Sequence, residues 1–244
     1  MAYPLIGSFV RDDRVRTSGI WVGPPASLAG VDGRAVRCAE ALLVTVGADQ
    51  VEVEARLRAG GLSCPGCEGR LAPWGFARPR VVRYAVGRRW LRPRRALCVG
   101  CGATHVLLPV TCLARRADVA VVVGAGLVLA AAGWGYRRVA GRLGRPEATA
   151  RGWLRRFRAS AEPVRVAFTV LLGAVDPDPP GLAPAGSPIG DAVNAVLAVG
   201  AAVTARWGPA VGAVSPWEVA CAVTGGRLLA PAFTPVTINT GRPW

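Results

Sequence analysis

A chain of 244 residues with 52% hydrophobic side chains is long enough for a packed core, in one larger domain or two small ones, and too apolar for a wholly disordered chain. The net charge of +15 is carried by arginine alone, since the sequence contains no lysine. Its distribution argues against a merely soluble surface as the cause: residues 1–60 hold seven arginines and seven acids, residues 61–160 nineteen and three, and residues 161–244 four and five.

Nineteen arginines against three acids give the central hundred residues a net charge of +16. Such a concentrated basic segment is the footprint of a polyanionic partner. The start of the chain, Met1 to Val10, has no basic run followed by a long apolar stretch, so a cytoplasmic location is expected. There are seven cysteines, four of them in two CxxC pairs, a pattern that favours a metal over disulfides in a reducing compartment.

In chain order, residues 1–47 mix short apolar pieces with Gly, Pro and Asp and are expected to be irregular or disordered. Residues 48–59 read as a short helix stopped by Gly60-Gly61. Strands are expected over 81–86, over 90–97 with an interruption at Pro93, and over 104–108. Residues 48–112 thus form a zinc ribbon with a preceding helix, and 113–172 a helix-turn-helix domain. Residues 173–186, rich in Pro, Gly and Asp, read as a linker. Residues 187–244 read as an Ala-rich helix, capped by Ser187-Pro188 and running to about Trp207, followed by an irregular tail.

The first constellation is Cys64-Pro65-Gly66-Cys67 and Cys98-Val99-Gly100-Cys101. Each CxxC turn supplies two corners of a tetrahedron, so Cys64, Cys67, Cys98 and Cys101 complete a closed site for one structural zinc ion. Gly66 and Gly100 are expected to serve the tight knuckle turns. A sheet of this size is marginal alone, and metal binding supplies folding free energy. His105 is expected to pack or to contact a phosphate, while Cys38, Cys112 and Cys221 read as buried small residues. Between the knuckles lie Arg78, Arg80, Arg83, Arg88, Arg89, Arg92, Arg94 and Arg95, suited to phosphate contact. Trp74, Phe76, Tyr84 and Trp90, interleaved with them, read as the ribbon's small core rather than as stacking platforms.

The second constellation runs from Tyr136 to Phe157. Ala140 is the small residue where two helices cross, Gly144 the turn glycine and Ala150 the small residue of the second helix. Val139, Leu143, Trp153 and Leu154 supply core. Pro146 and Glu147 suit the first turn of the second helix. In this register Pro146, Glu147, Ala148, Arg151, Gly152 and Arg155 face outward, toward a major groove. Arg151 is the base-reading candidate, because arginine pairs bidentately with guanine. Thr149, Arg155, Arg156 and Arg158 are assigned to phosphates; Arg137, Arg138 and Arg142 lie near the backbone from the first helix, and Arg145 joins the expected contact set. The 18 uncharged residues Val119 to Tyr136 reach the length of a membrane span, but nine of the seventeen from Val119 to Gly135 are Ala or Gly and both flanks are basic. A buried first helix fits better, and no membrane partner is expected.

The run Cys64 to Phe157, with Trp74-Gly75, Cys98-x-x-Cys101-Gly102, Thr104 to Pro109 and Leu143 to Pro146, resembles proteins of high-G+C bacteria that pair a transposase-type zinc ribbon with a helix-turn-helix. The resemblance covers roughly residues 50–160, and more weakly Pro216-Trp217 and Gly225 to Leu229. It implies double-stranded DNA as partner, at mobile-element ends or at a regulated site, with a transposase as a further partner. An active transposase would need three acids on an RNase-H-like fold. The acids after Phe157 are Glu162, Asp176, Asp178, Asp191 and Glu218, and two of these sit in the linker, so no catalytic residue is assigned. A protein-binding ribbon module and RNA as the polyanionic partner are the remaining alternatives. A homodimer fits a motif that reads only a short half-site. The expected fold is α+β: a small four-cysteine zinc β-ribbon, a helical helix-turn-helix domain and a mostly helical or irregular C-terminal region.

Overall fold

The structure, a computed structural model, describes residues 42–179, 181–211 and 214–230. Most of the segment 1–47, Cys38 with it, and the tail beyond 230 lie outside the described residues. The described part of that first segment corrects one expectation: Leu42–Val46 is a strand, β1. Its run Leu-Leu-Val-Thr-Val is β-branched and apolar, and it becomes ordered by pairing in parallel with a strand some sixty residues later, Thr104–Pro109.

A helix, α1 (Gln50–Arg58), follows, capped by the Asp49 carboxylate, which accepts from the N–H groups of Val51 and Glu52. Gly60, at φ 73°, ends it in a conformation that glycine adopts without cost. Four more strands precede the Thr104–Pro109 strand: β2 (Leu71–Phe76), β3 (Arg80–Arg83), β4 (Arg88–Leu91) and β5 (Arg94–Cys98), so that the last is β6. They form two sheets, one of four strands in the order β1-β6-β5-β2 and one two-stranded hairpin, β3-β4. The expected strand over 90–97 is split, because Pro93 cannot donate to a ladder. β2 tolerates Pro73 because it lies at the sheet edge and breaks register between Pro73 and Phe76. Glu54 of α1 accepts two hydrogen bonds from Arg94 of β5, which hold its carboxyl below the usual range and tie helix to sheet.

The helical half comprises α2 (Ala120–Ala131), α3 (Tyr136–Leu143), α4 (Glu147–Ala159), α5 (Ala161–Val175), α6 (Pro188–Val211) and α7 (Pro216–Val223). The apolar run from Val119 to Tyr136 is therefore two elements, parted at Gly133, whose φ is 84°. The linker begins after Val175 rather than at 173, and α7 lies where an irregular tail was expected. Ser215 and Glu218 close a capping box at the start of α7, with Pro216 at its first position. One helix stretch, Pro188–Pro209, is long and apolar enough to cross a bilayer by length and composition. Half of it is buried inside the protein.

Two cores result. The smaller, between α1 and the four-stranded sheet, contains Val53, Leu57, Leu62, Leu71, Ala96 and Leu107 together with Cys64 and Cys98. The larger joins all helices from α2 to α7 and includes Trp217, Leu228 and Leu229, so residues 113–172 do not close a core without the C-terminal region. That core also takes in Val82 and Leu91. The β3-β4 hairpin, although it lies between the two CxxC motifs in sequence, is packed on the helices. Gly124 of α2 sits against the Trp217 indole, where an added Cβ would come within 2.1 Å of the ring. Gly124→Ala must therefore push α2 and α7 apart. A loss of about 1–3 kcal/mol or more is expected in denaturant unfolding, with α7 the first element to lose hydrogen-exchange protection.

Candidate nucleic-acid interface and metal centre

The two CxxC turns meet beside β2 and β5. The four Sγ atoms lie within 4.8 Å of one another. Cys64 and Cys101 are 3.8 Å apart, and Cys67 and Cys98 3.4 Å. Around a tetrahedral ion with metal–sulfur bonds of about 2.3 Å, sulfur atoms stand about 3.8 Å apart, so the cluster has the size of a tetrathiolate site. Backbone N–H groups of Gly66 and Cys101 donate to Cys64 and Cys98. Burial opposes ionisation of Cys98, but the Cys101 N–H and the Cys67 thiol outweigh it and bring that thiol down to about 7. At Cys67 the Gly69 N–H favours the thiolate, yet burial and the neighbouring thiols prevail and push it up to about 12. A cation at the centre would convert all four to thiolates, and its uptake would release protons.

The glycines of the site differ from those expected. The left-handed positions are Glu68, at φ 58°, and Gly102, at φ 72°, each one residue past the second cysteine of its pair. The crowded glycine is Gly69, where an added Cβ would lie 3.1 Å from Cys98 Sγ and 3.3 Å from Cys67 Sγ. His105 is fully buried, its Nε2 3.4 Å from Cys64 Sγ, so it packs against the cluster and cannot reach a phosphate. Cys112 and Cys221 are buried, as expected, and burial raises both thiols.

The helix-turn-helix is built by α3 and α4 in the expected register. Val139, Ala140, Ala150, Trp153 and Leu154 are buried, and Leu143 is partly so. Gly144 closes α3 at φ 60°, ψ 42°, which a β-branched residue would adopt only with strain. Pro146 is the N-cap of α4 rather than its first residue. Gly126 of α2 lets Leu143 and Trp153 approach, so three helices pack as a unit.

The outer surface of this unit is basic. Arg137, Arg138, Arg142, Arg151, Arg155 and Arg158 are exposed, as are Glu147 and Ala148, while Thr149 and Arg156 are half-buried. Tyr136 lies between Arg137 and Arg151, whose guanidinium carbons stand 5.6 and 5.9 Å from its ring centroid. Arg138 rests on Trp134 at 4.2 Å. These ring contacts attract the guanidinium groups and steady the long side chains. Arg137 also pairs at 3.6 Å with Glu147, bridging α3 and the start of α4 at an exposed and weak contact. Arg156 turns back to the carbonyl of Gly152.

Arg145 departs from the expectation. It is 11% exposed, and its Nε donates to Asp118 at 2.6 Å and its Nη2 to the Tyr84 carbonyl at 2.5 Å. The other Asp118 oxygen accepts from Arg83 of β3 at 2.5 Å. Arg145 thus anchors the turn instead of meeting a partner. The spacing of the motif gave no sign of this, because Asp118 and Tyr84 lie 27 and 61 residues away.

Among the arginines between the CxxC pairs, Arg83, Arg94 and Arg95 are likewise engaged, with Asp118, Glu54 and Thr104. Arg78, Arg88, Arg89 and Arg92 are exposed. The aromatic residues do not form a core. Trp74, Phe76 and Trp90 are 55%, 50% and 78% exposed, and only Tyr84 is packed against the helical core. Strand parity explains Trp90: Leu91 and Val82 take the inward side of the hairpin, so the neighbour of Leu91 faces out.

Residues 124–165 match the family model of a homeodomain-like domain, a span that runs from the middle of α2 through α3 and α4 into α5. This supports a helix-turn-helix of DNA-binding type. No curated protein and no solved structure matches the chain.

Proposed function

We propose that the protein is a sequence-specific duplex-DNA-binding protein, in which α4 enters the major groove and a structural zinc ion holds the four-cysteine sheet beside it. The observation that carries this reading is the set of exposed arginines on a homeodomain-like unit, with Arg151 at the second turn of α4 and steadied by Tyr136. Arg151 reads a base; Arg142, Arg155 and Arg158 contact phosphates with Arg137 and Arg138, and half-buried Thr149 and Arg156 flank them. Four thiolates in a closed cluster favour zinc over harder cations, and all four are already donors, which suits a structural role. The protein acts by binding rather than by catalysis, in the cytoplasm, as a regulator or as the recognition part of a transposition system with a transposase as its partner. It works as a homodimer on paired half-sites.

Selection of bound sequences from a random duplex pool tests the reading. The native protein is expected to enrich one motif. Arg151→Ala is expected to lose roughly 5- to 150-fold at a guanine of that motif, from about 1–3 kcal/mol of discrimination, with affinity for unrelated DNA little changed. Equal enrichment by native protein and variant would remove α4 as the reading helix.

A further inference from the structure

The β3-β4 hairpin carries an exposed surface that the helix-turn-helix does not account for. Val86 at its tip is 92% exposed and Trp90 78%, and Arg88 and Arg89 beside them are also exposed. Neither arginine makes an ion pair among the described residues, although Arg89 lies over the Tyr84 ring at 5.1 Å.

Its position is fixed by three contacts. Val82 and Leu91 bury its inner side in the helical core. The N–H and C=O of Arg83 bond to Ala117 and Val119, the two residues around Asp118. Asp118 then binds Arg83 with one oxygen and Arg145 with the other, while Arg145 also reaches Tyr84 O. Arg145 stands two residues before α4 begins. The base of the hairpin turn is thus held within one arginine side chain of the N-terminal end of the reading helix. Arg88 pairs directly across the ladder from Arg83, about 5 Å away between Cα atoms.

We propose that this hairpin is a second DNA-contacting arm, which lies on the duplex flanking the site read by α4, with Arg88 on its phosphates and Trp90, on the same face, against the sugar edge. The proposal rests on the duplex-binding reading given above. Charge complementarity selects this occupant: Arg88, exposed and in no ion pair among the described residues, shares the outward face of the hairpin with Trp90 two residues on, and the clamp at Asp118 ties that hairpin to the start of α4. The exposed tryptophan beside it adds apolar contact.

The test uses the full-length, zinc-loaded protein and two duplexes containing the selected motif, one of roughly 12 base pairs and one longer by about a helical turn on each side. Affinity is measured against salt concentration for the native protein, for Arg88→Ala and for Trp90→Ala. The native protein is expected to bind the long duplex more tightly. Arg88→Ala is expected to lose that preference and to reduce the salt slope on the long duplex by about 1, while binding the short duplex as before. Trp90→Ala is expected to reduce the preference without changing the slope. If the variants bind both duplexes like the native protein while Arg151→Ala still loses the motif, the arm is overturned and the reading of α4 stands. If the native protein binds neither duplex, both fall together.

Discussion

Removal of the metal is expected to have the largest effect on the fold. A chelator, or Cys98→Ser, should release the four-stranded sheet and lower the first thermal transition, with recovery on adding zinc to the native chain but not to the variant. Structural zinc contributes about 10–16 kcal/mol to the folding of zinc-finger peptides. The core shared by α1 and the sheet contributes here as well, so part of the sheet's order should outlast the ion. Acid has the same direction of effect. Metal competes with protons for the four thiols, which must be deprotonated to bind it. Metal affinity therefore falls as the pH is lowered, and chelation should become easier below neutrality. Bound metal counted against pH, together with the melting curve, checks this. A melting curve indifferent to chelator, with no metal bound at pH 8, would contradict a zinc-stabilised sheet.

The second large effect is expected at Asp118. This carboxylate is 1% exposed and lies between Arg83 and Arg145, which are 33% and 11% exposed. Asp118→Ala leaves two guanidinium groups facing each other with no counter-charge. Breaking a buried pair in this way costs about 3–5 kcal/mol, and the lower end is expected because Arg83 keeps contact with water. Denaturant unfolding reads the cost. The same variant should loosen the turn before α4 and the base of the hairpin, so DNA affinity should fall by more than the lost stability of a remote site would cause. Arg145→Ala should be milder, because Asp118 keeps Arg83. A variant at Asp118 as stable as the native protein would show that the clamp holds neither element.

These two sites also show how far the sequence can be read without the fold. The helix-turn-helix was legible because it is local. Ala140, Gly144 and Ala150 fall within eleven residues, and the crossing of two short helices needs only those small residues and the apolar positions around them. The CxxC pairs were legible because each knuckle is a four-residue turn whose chemistry travels with it. What depends on distant partners was not. β1 is ordered by β6, and its sequence alone has no turn or alternation to announce it. Arg145 looks like any other arginine of the motif until Asp118 and Tyr84 are brought beside it. The hairpin sits between the cysteines in sequence and on the helices in space, because its two inward residues, Val82 and Leu91, match the helical core. Trp74, Phe76 and Trp90 were read as core on residue type. Parity and the edge position of β2 turn them outward.

The central claim, that an arginine surface on a homeodomain-like unit holds duplex DNA, is tested most directly by the salt dependence of binding. The zinc-loaded protein is titrated with random-sequence duplex DNA over a series of salt concentrations. Six to ten phosphate contacts predict an affinity that falls by about three to five orders of magnitude between 50 and 200 mM salt. Binding that is absent at low salt, or that does not change across the series, would contradict it.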